Sequence, residues 1–149
     1  MKFTWIGQAG LLIEHNGYTV MVDPYLSNSV EKVTPRFYRR YPVMKSLLER
    51  KPDMLIFTHN HLDHYDPETA LKFIKEDSEI LVLAPKSVWD EARKLGGNNN
   101  YVQFNRHTTW TEKGIKFTAV NNACFSSFCI LNNLSLIICN HLIRNKSFS

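Results

Sequence analysis

Residues 54–58, Met-Leu-Ile-Phe-Thr, are the stretch that most limits what this chain can fold into. A short apolar run without alternation suits a strand buried on both faces, the usual setting of a parallel sheet. The chain then turns polar from His59 to Tyr65. Asp66 follows as a good helix N-cap, Pro67 suits the first helical position, and Ala70, Leu71, Phe73 and Ile74 recur as an apolar stripe. Ile80 to Ala84 reads as a second buried strand. Strand, helix and strand form a βαβ unit, so the two strands are expected to be parallel neighbours with a right-handed crossover.

The surrounding sequence extends this unit into a sheet. Phe3 to Ile6 and Leu11 to His15 are strand-like, Asn16-Gly17 is a hairpin turn signal, and Thr19 to Val22 is a third strand ending at Asp23-Pro24. Met44, Leu47 and Leu48 mark a short helical face. A second helix is expected over Ser87 to Leu95, with Val88, Trp89, Ala92 and Leu95 inward and Gly96-Gly97 as its stop. Tyr101 to Phe104 and Ile115 to Val120 are further strands, the latter preceded by a turn at Glu112-Lys113-Gly114. The expected class is α/β, a mixed sheet with helices on its outer face. At 149 residues the chain is long enough for one domain with a real core.

The character of the sequence changes near residue 121. All fourteen acidic residues precede Asn121, whereas all three cysteines, Cys124, Cys129 and Cys139, follow it. The segment 121–149 is rich in Asn, Ser, Ile, Leu and Phe and shows neither helix caps nor clean strand alternation. Two readings stand: a genuine C-terminal element whose apolar runs pack as buried strands, or an aberrant tail from out-of-frame translation. The second is favoured, because local and global pattern agree before residue 121 and disagree after it. The expected organisation is therefore residues 1–120 as the folded part and 121–149 as the tail.

The net charge of +4 is modest, and the basic residues are scattered apart from Arg36, Arg39 and Arg40. A nucleic-acid surface would more often show a basic stripe with interleaved aromatics, so no nucleic-acid partner is expected, and the arginines read as a solvated face or an anion contact. No cleavable signal pattern opens the chain, and no run is long and apolar enough to span a bilayer. A cytoplasmic protein without a membrane partner is expected. An odd, unpatterned set of cysteines does not form a disulfide framework.

The chemistry lies in Thr58-His59-Asn60-His61-Leu62-Asp63-His64-Tyr65-Asp66. Three imidazoles and a carboxylate crowd the C-terminal end of a parallel strand, where α/β sheets place their ligand sites. Histidine is the commonest metal ligand near neutral pH, and carboxylates suit divalent ions as well. Side chains at i and i+2 in a turning segment can converge on one ion, so His59 and His61 are candidates for one ion, and Asp63 and His64 for a second. The bland alternative is a polar loop whose histidines cap the helix or bond to backbone. Gathering so many titratable groups without an ion would carry a desolvation cost.

The run H-x-H-x-D-H after a strand resembles the metal motif of the metallo-β-lactamase superfamily. Trp5-Ile6-Gly7-Gln8-Ala9-Gly10, Val22-Asp23-Pro24-Tyr25-Leu26-Ser27 and His64-Tyr65-Asp66-Pro67-Glu68-Thr69 are similar to its lactonase branch, typified by L-ascorbate-6-phosphate lactonase. Members resembling N-acyl-phosphatidylethanolamine phospholipase D share the Asn60 position and the Asp-Pro pair. The resemblance covers Met1 to about Val120 and implies the N-terminal half of an αββα sandwich. It implies two divalent metal ions, zinc or manganese, that lower the pKa of a water and stabilise the charge that develops as a small lactone or ester, phosphorylated or not, is opened by metal-bound hydroxide. By resemblance His59 and His61 match first-site ligands and Asp63 and His64 second-site ligands, with Asp63 also orienting the hydroxide as the catalytic carboxylate. Asp23 reads either as a carboxylate that bonds a ligand histidine or as a turn residue before Pro24.

The same resemblance implies a later His, an Asp bridging both ions and a final His, and none of these follows Val120 at the expected place. Cys124 could replace a histidine as a zinc ligand, and His141 could in principle, but neither has ligand spacing. His15 and His107 read as surface turn residues. The expected ligand set is incomplete and the inner sheet face lacks its partner sheet, so the expectation is a truncated hydrolase of little or no activity. The alternatives are a non-catalytic metal-binding or interaction remnant, stable as a homo-oligomer, and a phosphodiesterase or nuclease member of the superfamily.

Overall fold

The computed structural model describes residues 1–74 and 78–121, together with the strand backbones at 128–132 and 135–140. Strands β1 (Lys2–Gly7), β2 (Gly10–His15) and β3 (Tyr18–Val22) form an antiparallel meander. The connection onward carries α1 (Ser29–Val33), a 3-10 turn at Pro35–Phe37 and α2 (Lys45–Leu48). Next come β4 (Met54–Ile56), α3 (Pro67–Phe73), β5 (Leu81–Ala84), α4 (Lys86–Ala92) and β6 (Asn100–Gln103). The six strands pair in the order β1-β2-β3-β4-β5-β6, and β3 to β6 run parallel. The expected mixed α/β sheet is therefore present, including the parallel β4–β5 pair.

Burial on both faces explains the continuous apolar runs. Successive side chains of a strand point to opposite faces. Accordingly Leu55, Val82 and Ala84 join the helix-side core with Phe73, Ile74, Val88 and Ala92. Met54, Ile56, Leu83, Val20 and Val22 join the opposite core. Leu71, read as part of the apolar stripe of α3, is instead 56% exposed. The stripe is narrower because Thr69, Ala70, Phe73 and Ile74 suffice to face the sheet, which leaves Leu71 on the solvent side.

The expectation of an uncovered inner face is corrected. A second sheet, order β7-β8-β10-β9, is built from β7 (Thr109–Glu112), β8 (Ile115–Asn121), β9 (Phe128–Asn132) and β10 (Ser135–Asn140). Ile115, Phe117 and Ala119 of β8 are fully buried against the first sheet, in one cluster with Leu11, Ile13, Val22 and Phe104. Within this sheet β10 pairs parallel with β8 and antiparallel with β9. Strand β7 escapes the sequence pattern because its residues are half-buried or exposed, so its apolar signal is weak. Helices, sheet and second sheet form three layers, with the C-terminal ends of β3 and β4 at one rim.

Candidate metal centre

The parallel pairing of β3 with β4 brings the site together. Val22 lies opposite Ile56, so the chain leaving β3 and the chain leaving β4 run side by side past the sheet edge. The Asp23 amide donates to the Ile56 carbonyl at 2.9 Å, which continues the ladder by one residue. Asp23 is fully buried and holds φ at +43°, a left-handed conformation uncommon outside glycine. That turn swings its carboxylate across to Thr58. Oδ1 accepts the Thr58 amide at 2.8 Å, while Oδ2 accepts the Thr58 hydroxyl at 2.6 Å and lies 2.7 Å from His64 Nδ1. Of the two sequence readings of Asp23, the one in which it bonds a motif histidine describes the geometry. Gly10 allows the close approach, since a Cβ there would lie 3.2 Å from the Asp23 carbonyl oxygen and 2.9 Å from that of Gly7.

The motif loop leaves β4 buried and returns buried. Thr58 and His59 are enclosed, His61 is exposed and Tyr65 is enclosed again. The amides of His64 and Tyr65 both donate to the His61 carbonyl, at 2.9 and 2.8 Å, folding the segment into one tight turn. Tyr65 meets Phe57 edge to face at 5.1 Å, and burial, then Glu91 and Tyr101, push its phenol up to about 12, so it remains a neutral anchor. Asp66 caps α3 as expected, accepting from the amides of Glu68 and Thr69.

Within the turn the three imidazoles lie together. His59 Nε2 is 3.0 Å from His61 Nδ1, and the His59 and His64 ring centroids are 3.8 Å apart. His59 Nδ1 is 2.9 Å from the Thr58 hydroxyl oxygen. Asp63 Oδ2 sits 3.9 Å from His64 Nε2, with its side chain 41% exposed toward solvent. Burial pushes the His64 pKa down, but its hydrogen bond and charge interaction with Asp23 more than offset this, leaving it above the ordinary histidine value.

Donor chemistry and spacing fit a ligand pair at His59 and His61. Two nitrogens each bound to a tetrahedral ion at the usual zinc–nitrogen length lie about 3.3 Å apart. The His59–His61 separation of 3.0 Å is close to that span. Among the described residues, however, no group of three or more His, Cys, Asp or Glu is disposed to hold an ion. Cys124 and His141 lie outside the described residues, and so does the region where a third ligand was sought. His15 stands at the far hairpin beside Asn16, and His107 is exposed with φ at +67°.

Two residues near the site have roles that the sequence reading did not assign. Thr58 is a fully buried hydroxyl at the end of an apolar strand, and a buried polar group needs a partner, which was the available signal. Arg39, read with Arg36 and Arg40 as a solvated face or an anion contact, is half-buried instead. Its guanidinium bonds the carbonyls of Ile6, at 3.0 Å, Tyr25, and Tyr41, at 2.8 Å. It ties the 35–44 segment to the ends of β1 and β3, and no local pattern in the sequence announces such a tie.

Residues 2–126 match the family described as Beta-lactamase superfamily domain. A metal-dependent hydrolase from Hyperthermus butylicus is 31% identical over 98 residues, covering 66% of this chain and 38% of that protein. The diiron beta-hydroxylase CmlA from Streptomyces venezuelae is similar in structure, with TM-score 0.55 and 27% identity, covering 76% of this chain and 22% of that one. The isothiocyanate hydrolase from Delia radicum gut bacteria shares the fold at TM-score 0.53 and 23% identity, over 78% of this chain and 46% of that one. The chain spans less than half the length of these relatives. No helix among the described residues is long and apolar enough to cross a membrane. With its H-x-H-x-D-H turn at the rim of a mixed sheet and the match over most of its length, the chain belongs to the metallo-β-lactamase superfamily.

Proposed function

We propose that this chain is the N-terminal part of a metal-dependent hydrolase that opens a small lactone or related ester, and that residues 1–149 alone turn over weakly or not at all. The observation that carries the reading is the His59 Nε2 to His61 Nδ1 pair at 3.0 Å beside a His64 held by a buried carboxylate. Under this reading His59 and His61 hold one zinc or manganese ion, and Asp63 and His64 hold a second. A divalent ion, if held there, would supply Lewis-acid chemistry that lowers the pKa of a water and polarises an ester carbonyl. The chain's own residues supply orientation: Asp23 fixes the His64 ring, and under this reading Asp63, its side chain 41% exposed, positions the nucleophile. Zinc in catalytic sites normally takes three protein ligands. A pair per ion supports weak binding and low turnover.

A small substrate is preferred over nucleic acid because the guanidinium of Arg39 is committed to backbone carbonyls, leaving Arg36 and Arg40 without it as an anion-binding group. Residues 121–149 are proposed to arise from a shifted reading frame. Sequencing the codons for Ala119 to Cys124 tests this, and a downstream His, Asp and His in another frame is the expected result.

The test of the metal reading is thermal unfolding with zinc or manganese. At about 100 times Kd an ion that binds only the native state adds about 2.7 kcal/mol, which a chelator removes. His61→Ala should cost metal-free stability about the one hydrogen bond to His59, about 0.5–1.5 kcal/mol, and abolish the metal-induced rise. An equal rise in wild type and His61→Ala would refute the ligand assignment. Robust metal-dependent lactone hydrolysis by the 149-residue chain would refute the proposal of weak turnover.

A further inference from the structure

We infer that Thr58 is a positioning residue that couples both halves of the metal centre to one carboxylate: Asp23 fixes the His64 tautomer directly, and Thr58 relays the same carboxylate to His59 and so sets the same tautomer there. The inference deepens the metal reading above and rests on it for its consequence, but the proton arrangement stands on this chain's own atoms.

The proton count leaves one arrangement. An ionised carboxylate only accepts. Asp23 Oδ2 lies 2.7 Å from His64 Nδ1, so that nitrogen carries its hydrogen. The same oxygen lies 2.6 Å from the Thr58 hydroxyl, which therefore spends its single proton there. The hydroxyl oxygen then offers only lone pairs to His59 Nδ1 at 2.9 Å, so this nitrogen also carries hydrogen. In the neutral rings the lone pairs consequently sit on the Nε2 atoms of His59 and His64. His59 Nε2 faces His61 Nδ1 and accepts from it in the metal-free protein, and these are the two atoms that would hold an ion in place of that proton.

Sequence makes the coupling compact. Thr58 precedes His59 directly, its amide bonds Asp23 Oδ1 at 2.8 Å, and its hydroxyl stands 3.3 Å from His64 Nδ1. The residue is fully buried, so water does not compete for the hydroxyl. Without the hydroxyl, His59 Nδ1 would lose the lone pair that Thr58 offers it, which shifts the balance toward the tautomer with hydrogen on Nε2. That tautomer cannot ligate through the atom that faces His61.

The test compares wild type, Thr58→Ser and the isosteric Thr58→Val. Long-range proton–nitrogen NMR on the metal-free proteins reads the histidine tautomers, and competition titration with zinc alone reads affinity. Wild type and Thr58→Ser should show His59 with hydrogen on Nδ1. Thr58→Val should show it wholly or partly on Nε2, and zinc affinity should fall about 10–100-fold, the usual cost of losing a partner behind a ligand. A wild-type His59 protonated at Nε2 overturns the inference without any variant. So does a folded Thr58→Val that keeps the Nδ1 hydrogen, or binds zinc within twofold of wild type. Absence of zinc binding by wild type would sink the metal reading, while the tautomer spectra would still decide the role of Thr58.

Discussion

Replacing Asp66 by alanine tests how the motif turn is anchored to the helix that follows it. Asp66 is fully buried, and its carboxylate accepts from the Glu68 amide at 3.2 Å, the Thr69 amide at 3.3 Å and the Thr69 hydroxyl. The Thr69 oxygen in turn accepts the Leu26 amide at 2.9 Å, so one side chain ties α3 to the segment after β3. Loss of an N-cap costs about 1 kcal/mol. Stranding the Thr69 hydroxyl, itself 1% exposed, adds about 1–3 kcal/mol. The expected loss is about 2–4 kcal/mol, which at about 3 °C per kcal/mol for a chain of this size lowers Tm by about 6–12 °C. Asp66→Asn keeps one acceptor oxygen and a good cap, and should fall by less than half as much. Urea unfolding followed by far-ultraviolet circular dichroism gives both values. A loss below about 0.5 kcal/mol for Asp66→Ala, the size expected of an ordinary surface change, would refute the anchoring argument.

Further outcomes follow from other parts of the structure. Gly10→Ala puts a Cβ 2.8 Å from Ile6 Cγ1 and 2.9 Å from the Gly7 carbonyl oxygen, and backbone yields poorly, so about 1–3 kcal/mol of stability should be lost in urea unfolding. At Gly17, where φ is +79° and no atom lies within 4 Å, alanine should cost about 1 kcal/mol from backbone strain alone. Arg50, then Lys2, hold the Glu14 carboxyl below the usual carboxylate range. A lowered folded pKa stabilises above the unfolded pKa and is lost as pH falls through the folded value. The acid limb of the stability curve should therefore flatten slightly in Glu14→Gln and in high salt, because exposed pairs are screened.

The legible part of the site was local. Three histidines, Asp63 and Asp66 fall within one short stretch, and the order of apolar strand, polar turn and capped helix is written in consecutive residues. Asp66 and Pro67 carried enough information to place the start of α3. What stayed hidden depends on partners far away in sequence. The pairing of Asp23 with Thr58 and His64 spans 35 and 41 residues, and it became visible only through the β3–β4 register. Arg39 looked like one of three surface arginines because nothing near it in sequence shows the carbonyls of Ile6 and Tyr25 that it reaches.

By itself the sequence determined the strands and helix of the βαβ core and the crowding of three histidines and a carboxylate in the turn between them, because periodicity, caps and donor chemistry are properties of neighbouring residues. Tertiary structure decided which face each strand buries, how β8 of the second sheet covers the first, and which of two readings of Asp23 is realised. It also decided that the three motif imidazoles lie together, with His59 beside both His61 and His64. The physical reason is that a hydrogen bond or a coordination pair is set by distance in space. Only the packing of β3 against β4 brings a buried carboxylate, a hydroxyl and two imidazoles within reach of one another.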